Sequence, residues 1–330
     1  MRTLRVLAIS LLAGITAVAA AQSLTLYVGR GEAFAGPILE RFTQDTGIQL
    51  EIRYGSTAEL AVLITEEGAA SPADGFWAQD AGALGALENA GLLAAVPGSL
   101  VGNVAYKNVH PSLNWVAVSA RNRVLAYSTQ RVSADELPAS ILDLVNPVYK
   151  DRVAWAPGNA SFQSFVTALR VSHGEAAAKA WLEGMIANGA RTYSNNGGQL
   201  TGIASGEVDF ALVNNYYLMR SLASDPAFPV AQTFFADGDI GNLANVTGIG
   251  VLASSDSQDL MHQLVAYLLS DEAQAYFTND QYEYPITMTT APYAGLENTG
   301  VVTAASPLVD LASIDDLEGT LELLREVGLL

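Results

Sequence analysis

The chain has 330 residues, with 34 acidic against 16 basic side chains, a formal net charge of −18, 50% hydrophobic residues and no cysteine. The missing cysteine excludes disulfides, thiolate metal sites and cysteine nucleophiles, so stability must come from packing alone. The acidic balance speaks against nucleic acid and anionic membrane as partners, and the length is enough for two lobes.

The N-terminus reads as a targeting segment. Arg2 and Arg5 form a basic start, residues 6–18 are an apolar run, and Ala19-Ala20-Ala21 offers a small-residue cleavage site. Residues 1–21 are therefore expected to be a signal peptide, with the mature chain beginning near Gln22. The run is short for a membrane span, and no cysteine follows it to carry a lipid. A soluble exported protein without stable membrane insertion is expected.

Residues 23–28 are β-rich and predict a first strand. Phe34, Ile38, Leu39 and Phe42 recur at helical spacing and predict a helix over 34–46, stopped by Gly47. Residues 48–54 alternate as a second strand, and Ser56 or Thr57 caps a helix over 58–67. A third strand over 73–77 leads into a helix over 81–90. Strand and helix in strict alternation predict an open parallel sheet. Ligands of such sheets lie beyond the carboxyl ends of the strands, which places loops 29–32, 54–57 and 78–81 at a cleft.

Residues 115–119 and 123–127 read as two strands joined across Ala120-Arg121-Asn122. A short helix over 138–145 and a strand over 153–156 follow. Pro157-Gly158-Asn159-Ala160-Ser161 opens a helix over 162–172, and a second helix spans 175–188. After an extended 191–194, a turn at 195–198 and a helix over 199–205, the strand 208–213 runs into Asn214-Asn215-Tyr216-Tyr217. A strand over 245–252, helices over 257–269 and 272–278, and an apolar stripe of Ile314, Leu317, Leu321, Leu323 and Leu324 complete the chain.

No repeat or low-complexity linker separates the two α/β units, so they are expected to exchange chain more than once. The expected division is 22–118 plus about 246–290 for the N-lobe, and about 119–245 plus 291–330 for the C-lobe. The expected fold is α/β: a two-lobed periplasmic-binding-protein fold with a ligand cleft between the lobes. An exported protein of this kind captures a ligand by hinge closure, which suggests the solute-binding protein of an ABC importer.

The doubled tyrosine carries the most chemistry. Adjacent side chains point to opposite faces of a strand and lie about 100° apart on a helix. At a strand-to-helix junction the backbone turns, and both phenols can aim at one point. Two phenolates suit a hard, highly charged cation, and Fe³⁺ is the common one that displaces a phenol proton near neutral pH. The competing reading is two half-buried packing residues.

Taken together, several stretches resemble the periplasmic ferric-ion-binding proteins, the transferrin-like solute-binding proteins of iron importers. They are Glu66-Glu67-Gly68, Ser71-Pro72-Ala73-Asp74, Phe76-Trp77-Ala78-Gln79, Gly91-Leu92-Leu93, Trp115 with Ser119-Ala120-Arg121-Asn122-Arg123, Asn214-Asn215-Tyr216-Tyr217, and Glu283-Tyr284-Pro285. The resemblance covers almost the whole mature chain, and the doubled tyrosine is its most specific part.

The resemblance implies Fe³⁺ as the cargo and Tyr216 and Tyr217 as its ligands. Gly31 stands where some members carry a histidine and Gln79 where they carry a glutamate, so a histidine–glutamate–tyrosine–tyrosine site is excluded. The chain looks closer to the subgroup that adds an anion such as carbonate. Asn159, Ala160 and Ser161 match the family's anion loop, at a helix start whose free N–H groups favour negative charge. Asn196 and Asn214 match further anion contacts, and Arg121 or Arg123 can fork onto a carboxylate or carbonate.

Tyr54, at the strand-to-helix turn Arg53-Tyr54-Gly55-Ser56, is the best placed third metal ligand. Tyr27, Tyr193 and Tyr284 are weaker candidates. Glu32 and Asp80 are read as solvated charges on cleft loops, and His110, His173 and His262 as surface residues. No HExxH, GxSxG, phosphate loop or histidine cluster supports an enzyme. The remaining rivals are a solute-binding protein for a small organic cation or an oxyanion, with the tyrosines boxing the ligand, and a sensor that docks a membrane partner. The implied partner is the ABC permease of an iron importer, and a monomer is expected.

Overall fold

The computed structural model describes residues 22–105, 111–309 and 313–330. The expected signal peptide and His110 lie outside the described residues.

The first unit follows the predicted alternation. Strand β1 (Ser23–Val28), helix α1 (Glu32–Thr46), β2 (Gln49–Tyr54), α2 (Thr57–Glu67), β3 (Gly75–Ala78) and α3 (Ala81–Asn89) come in order. β1 pairs in parallel with both β2 and β3. Gly47 ends α1 in the left-handed conformation at φ 76°, which glycine adopts without a Cβ penalty. Ser56 caps α2 through a reciprocal capping box with Glu59.

Thr57 ties the three cleft loops together: its hydroxyl donates to the Gly29 carbonyl at 2.9 Å and accepts the Gln79 N–H at 3.1 Å. A Cβ on Gly29 would stand 2.3 Å from that hydroxyl oxygen, so this close approach requires glycine.

After the two-residue β4 (Leu93–Ala94) comes β5 (Trp115–Ser128), one continuous strand of 14 residues. The expected break at Ala120-Arg121-Asn122 does not occur. That tripeptide holds neither glycine nor proline to turn the chain, and it pairs antiparallel with residues 244–246 of β10 (Ala244–Leu252). β5 continues into a second unit made of β6 (Val153–Trp155), α4 (Ala160–His173), α5 (Glu175–Ala187), β7 (Arg191–Thr192), α6 (Asn196–Ser205), β8 (Phe210–Asn214), α7 (Asn215–Ser224) and β9 (Val230–Thr233). The expected helix over 138–145 is a 3₁₀ turn at Ile141–Val145.

The main sheet path runs β2-β1-β3-β10-β5-β8-β6-β7. Two parallel halves thus meet across the antiparallel pair β10 and β5. The chain closes with α8 (Gln258–Leu268), α9 (Asp271–Asn279), β11 (Tyr284–Pro285), α10 (Thr299–Ala305) and α11 (Leu317–Glu326). The structure is an α/β two-lobed binding-protein fold.

The hydrophobic side chains divide accordingly. One core takes Leu24 through Val118 and Val246 through Ile286. The second unit holds Leu125, Phe162, Trp181 and Phe210 with Leu323 and Leu324 of α11, and a smaller cluster around Val213 and Leu218. β5 changes core midway: Val116 to Val118 belong to the first, Leu125 to the second. Arg121 stands between them.

Candidate metal and anion site

β8 ends at Asn214, whose extended backbone (φ −85°, ψ 143°) caps α7. Tyr216 and Tyr217 therefore occupy the first turn of a helix, where the macrodipole favours negative charge. Their rings stack with centroids 4.5 Å apart and planes 27° apart. The junction does aim both phenols the same way, towards the other lobe. Phe34 of α1 meets both rings edge-on, at 5.5 Å and 5.7 Å. Tyr216 is 2% exposed. Burial, then the neighbouring Tyr216, push the Tyr217 phenol well above the ordinary tyrosine range, with Arg30 pulling it back. Without a metal, Tyr217 is a protonated phenol at neutral pH.

The wall facing the pair is cationic. Arg30, in the loop after β1, is buried and donates both arms of its guanidinium to Glu283, at 3.0 Å and 2.7 Å. Ser119 of β5 also donates to that carboxylate. Burial opposes the Arg30 charge, but Glu283 with Tyr216 and Tyr217 outweighs it and raises the pKa. Arg220 of α7 lies 4.3 Å over the Phe34 ring and bonds Gln281. Gln281 donates to the Tyr276 hydroxyl (2.7 Å), which donates to the Phe34 carbonyl (2.9 Å). This chain of contacts ties the lobes on one side of the pair.

Beside the tyrosines is a cluster of donors. The Ser161 hydroxyl, in the first turn of α4, takes Gln79 Nε2 at 2.9 Å, Arg121 Nη2 at 3.1 Å and Asn214 Nδ2 at 3.1 Å. Asn214 Nδ2 also reaches the Tyr216 hydroxyl at 3.4 Å. Three N–H donors from the N-lobe, β5 and the C-lobe thus converge on one small oxygen. Ala160 is the first helical residue of α4, so its N–H has no carbonyl one turn behind it. Arg121 is 2% exposed, and its Nη1 is buried with no hydrogen-bond partner. Burial lowers its pKa, against the pull of Asp80, Tyr216 and Glu283.

Most of the sequence-predicted residues come together here: Tyr216, Tyr217, Arg121, Ser161, Asn214 and the Ala160 helix start. Others do not. Asn159 caps α4 by accepting the Ser161 N–H at 3.1 Å. Asn196 accepts the Asn214 N–H at 2.9 Å and so holds Asn214 in place. Arg123 is buried under α4 between Phe162 and Phe165, and its Nη2 donates to the Leu212 carbonyl.

Tyr54 lies on the far side of α1. Its hydroxyl stands 3.6 Å from where a Gly36 Cβ would be, and burial, then Glu32 and Glu40, raise its pKa. Gly36 and Phe34 are two helical positions apart, on opposed sides of α1, and Phe34 is the side that meets the tyrosine pair. Tyr27 donates to Glu67, Tyr193 to Glu207 and Tyr284 to the Glu297 carbonyl.

Asp80, read from sequence as a solvated charge, is 3% exposed. His262, read as a surface residue, is half-buried, with Nε2 out of contact with water and unpartnered; His173 is exposed. Among the described residues no group of three or more histidines, aspartates or glutamates is placed to hold a metal. Arg30, Phe34, Glu283 and Ser164 were not singled out from sequence. Glu283 had a signal in the Glu283-Tyr284-Pro285 stretch, and Arg30 in its position on cleft loop 29–32.

The fold and cleft define a class, and the chain belongs to it: residues 71–303 match the family of bacterial extracellular solute-binding proteins, a family of solute carriers and not of enzymes. Among its relatives, the major ferric iron-binding protein of Neisseria meningitidis is 33% identical over 93% of either chain. The Fe(3+)-binding periplasmic protein of Serratia marcescens is 31% identical over 96% of this chain and 94% of its own. Iron-bound HitA from Pseudomonas aeruginosa superposes with a TM-score of 0.87 at 33% identity, over 93% of this chain and 99% of that one. No described helix is long and apolar enough to cross a membrane.

Proposed function

We propose that the protein captures ferric iron between its lobes, with an oxyanion such as carbonate beside it, and delivers it to the ABC permease of an importer. The observation that carries this reading is the stacked Tyr216–Tyr217 pair at the start of α7, faced across the cleft by buried arginines. Phenolate oxygen suits a hard trivalent ion, and the helix dipole with Arg30 offsets the charge the phenols acquire on ionising. The names of the relatives point the same way.

The oxyanion is assigned to the donors around Ser161: Arg121, Gln79, Asn214 and the Ala160 N–H. It completes the metal's coordination where Gly31 and Gln79 supply no histidine or carboxylate, and the third protein ligand is not Tyr54 in this arrangement. The lobes are read as 22–118 plus about 246–290 and about 119–245 plus 291–330, in keeping with the two cores. The mature protein is read as periplasmic and monomeric.

Loading with ferric citrate in bicarbonate buffer should give an orange to red protein through phenolate-to-iron charge transfer, with iron retained on desalting. Loading should fall sharply in anion-free buffer. A colourless protein that retains no iron overturns the metal assignment. Equal uptake with and without anion overturns the oxyanion.

A further inference from the structure

The interlobe junction holds a second buried charge. Asp80 follows β3 in the N-lobe, yet its Oδ1 accepts the Ser164 hydroxyl of α4, in the C-lobe, at 3.4 Å. Ser164 in turn accepts Asn245 Nδ2 of β10 at 2.8 Å, and Asn245 Oδ1 accepts the Ala81 N–H at 3.3 Å. Asn245 of β10 is the register partner of Arg121 of β5. Asp80 and Arg121 therefore lie in one buried polar cluster, flanked by Ser161 and Ser164 one turn apart on α4. The two feel each other's charge.

Each nevertheless keeps an orphan atom: Asp80 Oδ2 and Arg121 Nη1 are both buried with no hydrogen-bond partner. So is Asn214 Oδ1, whose Nδ2 already serves Ser161. Buried polar atoms left unpaired are costly, and here the orphans are of opposite kinds. An arginine nitrogen can only donate, and an ionised carboxylate can only accept. A fully ionised oxyanion satisfies the first and repels the second. An oxyanion that keeps one proton satisfies both, its charged oxygen facing Arg121 and its O–H donating to the carboxylate.

We propose that Asp80 makes the anion subsite selective for oxyanions that carry a proton, hydrogencarbonate and hydrogen phosphate, against fully ionised ones such as sulfate. This rests on the oxyanion assigned above to the same site, with carbonate taken there in its singly protonated form, hydrogencarbonate. The Gly82 and Ala83 N–H groups at the start of α3 favour the ionised form of the Asp80 carboxyl. Burial, against Arg121 and those N–H groups, raises the carboxyl pKa to about 6, so it is largely an acceptor at pH 7.5 and becomes a donor on acidification. Arg121 is the charged group facing it from β5; Tyr216, Glu283 and Arg30 stand beyond Arg121. Ser164 of α4 and Asn245 of β10 are neutral.

Hydrogen phosphate and sulfate are a matched pair of probes, tetrahedral and alike in charge near pH 7.5, differing by the proton. Binding of each to the iron-free protein is measured by calorimetry. Phosphate should bind at least about 100-fold more tightly than sulfate, because sulfate leaves Asp80 facing lone pairs. Sulfate should gain as the pH falls from 8 to 5, as the Asp80 carboxyl takes up a proton and turns donor. Asp80→Asn, whose amide both donates and accepts, should bind the two anions within about 10-fold of each other.

Sulfate equal to phosphate in the wild type, or discrimination unchanged in Asp80→Asn, overturns the proposal. Should the variant fail to fold, the sulfate pH profile of the wild type decides, and a flat profile overturns it. If neither anion binds, the proposal falls together with the oxyanion assignment, while the iron assignment stands or falls separately on the colour obtained with ferric citrate.

Discussion

The two walls of the cleft do different work with different residues. The C-lobe wall presents two adjacent phenols on a helix start. The N-lobe wall presents Arg30, Phe34, Gln79 and Asp80, and the N-lobe tyrosines Tyr27 and Tyr54 are turned elsewhere. On the proposed reading the C-lobe carries the metal donors and most of the anion donors, and the N-lobe adds Arg30 as charge compensation with Gln79 and Asp80 at the anion subsite. In the proposed capture, closure brings the two together, so neither wall is a site alone.

The largest effect expected from this asymmetry is in pH. Tyr217 is raised well above the ordinary tyrosine value, chiefly by burial, so metal binding must displace its proton, and a second phenolate ligand releases a second. With one proton lost per phenol, ferric affinity should fall about 100-fold for each pH unit of acidification. Iron release followed against a competing chelator between pH 8 and 5 checks this, and a nearly flat profile means the phenols are not ligands.

The next effect tests the N-lobe wall. Arg30→Met leaves Glu283 buried and unpaired, which should cost about 3–5 kcal/mol of stability in denaturant unfolding. Replacing both, with Glu283→Leu added, should restore most of that loss. If the single variant is as stable as wild type, the pair is not the buried brace the structure describes.

A smaller effect comes from Asp80, whose pKa rises from 3.8 to about 6 in the fold. The folded chain holds this proton more tightly than the unfolded chain, so stability from this group falls as pH rises from about 4 to about 6. The ionised form costs the fold about 3 kcal/mol above pH 7. The iron-free Asp80→Asn protein should melt about 3–6 °C higher than wild type at pH 7.5, and the gap should close towards pH 4. A gap independent of pH assigns the change to packing instead. The smallest effect is Tyr54→Phe, which should leave the colour and pH profile of the iron protein unchanged; a lost band would place Tyr54 in the cleft and undo the asymmetry.

The alternation of strands and helices in the first unit was legible from periodicity and caps, as was the turn that aims Tyr216 and Tyr217 together. What local pattern missed depends on the other lobe. Asp80 looks like any charge on a loop until α4 closes over it. Arg30 and Glu283 lie 253 residues apart, and nothing near either announces the other. Tyr54 stands at a strand end beside the cleft loops, as expected, but sits on the outermost strand of the path, where its ring packs along α1. Arg121 was expected in a turn and instead lies inside a continuous strand, which is why it is buried between the cores.

The most direct test is the visible spectrum of wild type, Tyr216→Phe and Tyr217→Phe after identical loading with ferric citrate and bicarbonate, with retained iron measured after desalting. Each variant keeps the ring and loses one phenolate oxygen, so each should stay folded. The wild type should show a strong phenolate-to-iron band, and each variant should lose it or shift it to shorter wavelength with less iron retained. If both variants match the wild-type band and iron content, the pair is packing, and the ferric site lies elsewhere.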